Sequence, residues 1–372
     1  MTRIFLVAGE TSGDAHGAAL VHALRALDPE VVCEGLGGQQ MAAAGMELRY
    51  DLAGEGIMGF VEVVKHLAPM RRLLLDTVER LAAARPDCLV LIDYPGFNMR
   101  LARAAHALGV RVAYYISPQV WAWKKRRVHT LARWVDKMLV IFPFEEALYR
   151  DAGLDCVYVG HPLVDRVAER SPQASRNGER VIGILPGSRA QEIVRLMEPM
   201  LGVARGIRAR YPEARFAAPC VYAARAEQVR ALAGDFPLDV RVGGMYEVLE
   251  AARFCLVASG TATLETALHR VPMVIVYRVN PLTYALARRL VSVKDIGIVN
   301  ILAGRRIVPE FVQHEATAER ILPTALALID DGPERRQMLE DLEALRTLLG
   351  AGGASERAAR EVLAVAQGAA HG

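Results

Sequence analysis

The stretch that decides the fold is VLIDYPGFNMRLA, Val90 to Ala102. An apolar run from Cys88 to Ile92 ends on Asp93, Pro95 and Gly96 turn the chain at once, and a helical pattern follows from Asn98. An apolar run of this length bounded by turn residues reads as a buried strand, and strand–turn–helix is half of a parallel βαβ unit. Asp93 stands where the chain turns. It either organises the following helix or is a carboxylate held at the rim of a site, and the stretch alone leaves both open.

Working outward, the same alternation recurs. Strands are expected at Ile4–Ala8, Val31–Leu36, Cys88–Ile92, Val112–Ile116, Met138–Ile141 and Val157–Val159, with helices at Gly13–Leu27, Phe60–Ala84 and Asn98–Leu108 between them. The polar stretch SPQASRNGER, Ser171 to Arg180, reads as a linker. The pattern then restarts with strands at Val181–Leu185, Phe216–Ala218, Val240–Val242, Phe254–Ala258 and Met273–Val276. The expectation is an α/β protein: a doubly wound domain over 1–170, a linker over 171–180, a second over 181–345, and a C-terminal helix and tail over 346–372. In open parallel sheets ligands gather beyond the carboxyl ends of the strands.

Composition agrees with that class. The 372 residues are 52% hydrophobic and 23% charged, and the formal net charge of +3 does not imply a nucleic-acid partner. The five cysteines, Cys33, Cys88, Cys156, Cys220 and Cys255, form no CxxC pair and mostly sit in apolar runs, the pattern of buried free thiols in a reducing compartment. The first apolar run is too short for a signal peptide, and no stretch has the length of a membrane span.

Three turns carry the candidate chemistry. GETSGDAHG, Gly9 to Gly17, follows the first strand; Ser12 or Asp14 can cap the next helix, and its N–H groups can hold an anion. LPGSRAQE, Leu185 to Glu192, places Gly187, Ser188 and Arg189 at a helix N-terminus, where a cation is unfavourable unless an anion such as a diphosphate neutralises it. ASGTATLETAL, Ala258 to Leu268, offers Ser259, Gly260 and Thr261 at a third turn, with Glu265 one helical turn on, placed to accept ribose hydroxyls. Thr261 is equally an ordinary cap. The chain has no DxD sequence, so a metal-dependent sugar-nucleotide site has no obvious ligand set, and departing diphosphate falls to helix N-termini and Arg189.

Two stretches are ambiguous between packing and contact. SPQVWAWKKRRVHTLARW, Ser117 to Trp134, holds all three tryptophans and the densest basic run; it fits a loop meeting a phosphorylated, partly apolar substrate, or a solvated helix face. In GIMGFVEVVKHLAPMRRLLLD, Gly56 to Asp76, residues Phe60, Val63, Val64, Leu67 and Leu74 share a helical face, which reads as core packing. The surplus of Ile57, Met58, Leu73 and Leu75, flanked by Lys65, Arg71 and Arg72, is what a membrane-surface helix shows.

In their order these stretches resemble the lipid-A-disaccharide synthases: VAGETSGDAHG, IMGFVEV, IDYPGFN, YYISPQVWAWKKRR, GHPLVD, LPGSR, ASGTATLE, PMVIVYR and NILAG. The resemblance implies a GT-B fold, two Rossmann-like domains around a cleft, in which the last helix commonly returns to the first domain. It implies an inverting, metal-independent transfer from UDP-2,3-diacylglucosamine to 2,3-diacylglucosamine 1-phosphate, giving the β-1,6 disaccharide 1-phosphate and UDP. UDP-sugar is then a substrate and no cofactor is expected. The place of work is the cytoplasmic face of the inner membrane, with peripheral attachment; monomer and homodimer are both open. The matching residue for the base is Asp93. Arg189 and Ser259–Thr261 fall to the diphosphate, Glu265 to ribose and Asn300 of NILAG to the uridine end. Glu10, Ser12, Trp123 and Arg126 fall to the acceptor side. One departure stands out: relatives often carry a second acid in IDxPDFN, and here Gly96 takes that place. Another GT-B transferase or an epimerase acting on a soluble sugar nucleotide is the alternative.

Overall fold

The computed structural model describes residues 1–54, 60–121, 127–168, 180–280, 284 and 295–368, with side chains from 68 onward in the helix that begins at Phe60 and up to 167 in the one that ends at Ala168. The chain divides into two units, Met1–Asp165 with Ala351–Gly372, and Arg166–Gly350. Most of the linker expected at 171–180 lies outside the described residues.

The first unit is built on β1 (Arg3–Ala8), β2 (Val32–Gly37), β3 (Glu47–Asp51), β4 (Cys88–Ile92), β5 (Val112–Tyr115), β6 (Lys137–Val140) and β7 (Cys156–Tyr158). Its helices in chain order are α1 (Thr11–Leu27), α2 (Gln39–Ala43), α3 (Phe60–Ala84), α4 (Pro95–Ala107), α5 (Arg127–Leu131), α6 (Pro143–Arg150) and α7 (Pro162–Ala168), the last straddling the division. The strands lie in the order β3-β2-β1-β4-β5-β6-β7, and every pairing is parallel. All of β4, β5 and β6 is buried, as a sheet covered on both faces requires.

The second unit repeats the plan with β8 (Val181–Leu185), β9 (Arg215–Cys220), β10 (Leu238–Val242), β11 (Ala252–Ala258), β12 (Met273–Tyr277) and β13 (Glu310–Val312), in the order β10-β9-β8-β11-β12-β13 and again parallel. Its helices are α8 (Ala190–Arg210), α9 (Ala223–Ala233), α10 (Met245–Ala251), α11 (Thr261–Leu268), α12 (Ile298–Ala303), α13 (Ala318–Ile329) and α14 (Pro333–Leu348). All five cysteines are free and buried.

In both sheets the chain starts in the middle, winds outward one way, then returns to wind the other. The direction reverses between β1 and β4 in the first sheet and between β8 and β11 in the second. At such a switch point neighbouring loops diverge and leave a crevice. Register sets Ala8 beside Ile92 and Val257 beside Leu185, so the turns that follow emerge side by side.

The final helix, α15 (Ala354–Gln367), packs on α1 in the first unit. Both of its ends are held. Asp165 accepts hydrogen bonds from the N–H groups of Gly353, Ala354 and Ser355 at 2.5, 3.3 and 3.2 Å. Arg111 donates to the carbonyls of Val365 and Ala366 at the other end. Midway, buried Lys137 pairs with Glu361 at 2.9 Å and with Asp155 at 3.1 Å. These contacts satisfy terminal helix groups that would otherwise stay unpaired.

Candidate functional site

The turn after β4 answers the question Asp93 raised. Asp93 and Tyr94 both take left-handed backbone angles, φ +46° and +48°, which side chains other than glycine rarely adopt. Three hydrogen bonds hold the strain. The Asp93 N–H donates to Tyr115 at 3.1 Å, while its carbonyl accepts from Tyr114 Oη at 2.7 Å and Asn98 Nδ2 at 2.8 Å. Tyr94 occupies the N-cap position of α4 and Pro95 begins the helix. Asp93 therefore does not cap. Its backbone is fully engaged and its half-buried carboxyl is left at the rim of the sheet. Burial, then the charge of Glu10, push that carboxyl up to about 7, against a backbone hydrogen bond from Tyr94 that lowers it.

Glu10 ends the neighbouring turn, at the N-cap position of α1 and without a side-chain cap. The turns touch: a Cβ on Gly9 would lie 2.2 Å from the Tyr94 ring, so only glycine fits there. At Gly96 a Cβ would meet nothing within 4 Å, so an acid in that place would enter open space. The expectation that Ser12 or Asp14 caps α1 is corrected. Ser12 sits in the first turn of α1, and buried Asp14 caps α2 instead, accepting from the N–H groups of Gly38, Gln40 and Met41 at 2.9, 3.1 and 3.0 Å.

Beside this turn, the irregular arch Ser117–Trp121 follows β5 at the carboxyl end of the sheet. Trp121 is buried, whereas Trp123 and Arg126 lie outside the described residues. Sequence reasoning missed the group that holds this arch, Glu145 of α6. Its Oε1 accepts from Ser117 Oγ at 2.6 Å and Trp121 Nε1 at 3.1 Å, and its Oε2 from the Phe142 N–H at 3.2 Å. An acid in an aromatic PFEEALY run carried no signal for a partner so far away in sequence.

The side chains of Phe60, Val63, Val64 and Leu67 lie outside the described residues. Further along α3, Met70, Leu73, Leu74 and Val78 pack against the core, which accounts for Leu73. Leu75 is 53% exposed, next to exposed Arg71 and Arg72, and stays surplus to packing. Among the described residues no helix is long and apolar enough to cross a membrane.

In the second unit the two expected turns meet at the switch point. Arg189 takes the N-cap position of α8 with extended backbone and no side-chain cap, and Gly260 does the same for α11. Both N-termini thus keep N–H groups for water or an anion. Gly187 has φ +102°, and a Cβ there would crowd Glu192 Oε2 at 2.5 Å. Exposed Arg189 pairs with Glu192 at 3.0 Å, so part of the dipole cost expected of an arginine here is met within the chain. Ser188, Gly260 and Thr261 are exposed, and Ser259 Oγ donates to the Ile296 carbonyl at 3.3 Å.

Glu265 lies one turn into α11, half-buried, and accepts from Tyr246 Oη at 3.1 Å. Burial raises its carboxyl above the usual range, against the opposing charge of Arg166 and the Tyr246 hydrogen bond. Tyr246 is itself flanked by His269, stacked at 5.1 Å, and by Arg166 at 5.5 Å. Asn300 is a correction. It is buried and its amide is consumed locally: Nδ2 donates to the Val308 carbonyl and Glu310 Oε1, and Oδ1 accepts from the N–H groups of Ile307 and Val308, all within 2.7–2.9 Å. It shapes the chain leading into β13 and has no amide atom left for a uridine.

The family model described as lipid-A-disaccharide synthetase matches residues 4–365. Lipid-A-disaccharide synthase of Geobacter sulfurreducens is 43% identical across 97% of this chain and 96% of its own length, and that of Myxococcus xanthus is 41% identical across 97% of each. Among solved structures, the S. aureus MnaA–UDP co-structure aligns with TM-score 0.67 at 14% identity over 96% of this chain and 94% of that one. The glycotransferase of kitacinnamycin aligns with TM-score 0.65 at 16% identity over 98% of each chain. At such identities the structural likeness speaks for the fold, which is GT-B. With a family match over nearly the whole chain and relatives above 40% identity, this protein belongs to the lipid-A-disaccharide synthase family.

Proposed function

We propose that Asp93 is the base of an inverting glycosyl transfer in which 2,3-diacylglucosamine 1-phosphate is the acceptor and UDP-2,3-diacylglucosamine the donor. The observation that carries the assignment is the Asp93 turn: a strained, hydrogen-bonded backbone that holds the side-chain carboxyl at the switch point, with its proton affinity raised to about 7. A base works best when its pKa lies near the operating pH. The acceptor 6-hydroxyl gives its proton to the Asp93 carboxylate as its oxygen bonds to the donor anomeric carbon. The bond from that carbon to UDP breaks, and the electron pair leaves with the diphosphate. One displacement inverts the centre and gives the β-1,6 disaccharide 1-phosphate.

The second unit holds the donor in this reading. The uncapped N-termini after β8 and β11, with Arg189, neutralise the diphosphate as it departs, with no resident metal called upon. Glu265, fixed by Tyr246, accepts ribose hydroxyls. Glu10 and Ser12 line the acceptor side beside Asp93, and the Trp123–Arg126 stretch meets the acceptor phosphate or lipid headgroups. Chains as apolar as acyl groups have to be drawn from a bilayer, so the α3 face with Phe60, Val63, Val64 and Leu67, together with exposed Leu75, Arg71 and Arg72, rests on the cytoplasmic face of the inner membrane.

Incubation with both diacylated substrates, read by mass spectrometry, tests the proposal. A tetraacyl disaccharide 1-phosphate and stoichiometric UDP are expected. An epimerised UDP-sugar without transfer would favour the soluble-substrate alternative and end this one.

A further inference from the structure

We infer that Glu145 is a positioning residue for acceptor binding, acting through the Ser117–Trp121 arch that it holds beside the Asp93 turn. The inference rests on the transfer reading above and adds a residue that neither its motifs nor its reaction requires.

Glu145 is 1% exposed. A glutamate in the first turn of α6 needs no burial to cap, because an exposed side chain reaches the Phe142 N–H equally well. Burying it costs the ionised form, and its carboxyl is accordingly pushed up to about 7, with desolvation opposed by its hydrogen bonds to Ser117, Trp121 and the backbone. What the burial gains is an acceptor for two groups of the arch, Ser117 Oγ and Trp121 Nε1. A third pin comes from Tyr149, whose hydroxyl donates to the Pro118 carbonyl at 3.3 Å. The Trp121 ring meets Phe144 edge-on at 5.3 Å, and Phe144 stacks on Phe142 at 5.9 Å. Four side chains of the arch are buried, and Gln119 alone is exposed.

The location of the arch gives this rigidity a purpose. Strand β5 lies next to β4, so the arch leaves the carboxyl end of the sheet one strand from Asp93. It begins at Ile116, a β-branched residue held at φ +62°. The neighbouring strands β4 and β5 are thus each followed at once by left-handed residues that are not glycine, and Tyr114 of β5 donates its hydroxyl to the Asp93 carbonyl. Backbone strain of this kind persists where the surroundings over-determine it and gathers at binding and catalytic sites. A clamped arch with a single exposed amide, set beside the base, is built to orient a sugar hydroxyl or its phosphate.

The experiment compares Glu145→Gln, Glu145→Ala, Ser117→Ala and Gln119→Ala by steady-state kinetics with each substrate varied, alongside melting curves. Glu145→Ala removes the carboxylate that accepts from the Ser117 hydroxyl at 2.6 Å and from the Trp121 indole N–H at 3.1 Å. A small displacement at a site costs up to about a hundredfold, so the acceptor KM should rise about ten- to a hundredfold with donor KM unchanged. Glu145→Gln keeps the shape and one acceptor oxygen and should restore much of this. Gln119→Ala, at an exposed position, should raise the acceptor KM without lowering the melting temperature, and so tests the inference even if Glu145→Ala does not fold. Wild-type acceptor KM in Gln119→Ala, or equal shifts in both substrates' KM in any folded variant, overturns the inference. Absence of product from the unaltered protein overturns the transfer reading instead.

Discussion

Replacing Asp93 with asparagine separates what this carboxylate does for the reaction from what it does to the fold. Asn has the same shape and stays neutral. In the folded protein the Asp93 carboxyl rises from its ordinary value of 3.8 to about 7. Such a group favours the folded state fully below 3.8, and that contribution is lost as pH rises through about 7. At pH 8 the ionised side chain therefore weighs against folding by at most ~4 kcal/mol. Because Asp93 keeps part of its surface in water, we expect about 2 kcal/mol. Asp93→Asn should accordingly be the more stable protein in urea at pH 8, with the difference shrinking towards zero near pH 4. Over the same range wild-type kcat/KM should climb as pH passes about 7, since the base acts only when ionised. The variant should lose this profile and about 10²–10⁴ of the rate. A variant that turns over normally, or one less stable than wild type at pH 8, would refute the reasoning.

Three further outcomes follow from the site. Arg189→Ala should weaken UDP binding about tenfold in titration calorimetry, the loss expected for one exposed charge-assisted contact, and unaltered affinity would count against a diphosphate there. Asn300→Ala should cost about 2–4 kcal/mol in urea unfolding, because two buried N–H groups lose their acceptor, while the folded variant binds UDP normally; weaker UDP binding with normal stability would return Asn300 to the uridine end. Phe60→Asp with Val64→Asp should release the protein from vesicles rich in anionic lipid without lowering its melting temperature. Melting of the double variant would instead make that face part of the core.

The central strands were legible because each is buried on both faces and reads as an unbroken apolar run. The two strands that the pattern missed, β3 and β13, are edges: ELRYD is half exposed and EFV is short, so neither shows the period or the hydrophobicity of a core strand. Turn motifs were legible for a related reason. Glycine, proline and small hydroxyl residues are constrained locally, and winding order then sets Gly9–Gly17 beside Asp93 and Leu185–Arg189 beside Ser259–Thr261. Side chains whose partners come from other elements were not legible. Asp14 reaches across to α2, Glu145 to the Ser117–Trp121 arch, and Asn300 folds back on Ile307 and Val308. In each case the residue type was informative about hydrogen bonding and silent about its destination. The amide of Asn300 suits a base edge and a loop equally well, and only the fold decides between them.

The return of α15 to α1 bears on how the protein is made. Translation delivers β1 to β7 early, yet their covering layer is completed only by residues that follow the entire second unit. Until then Lys137 lacks Glu361, and the carboxylate of Asp165 has no helix end to grip. A nascent chain thus carries α1 without the helix that packs on it until the second unit has been made. Premature termination at Gly350 would release a product that carries the whole second unit and a first unit without its final helix.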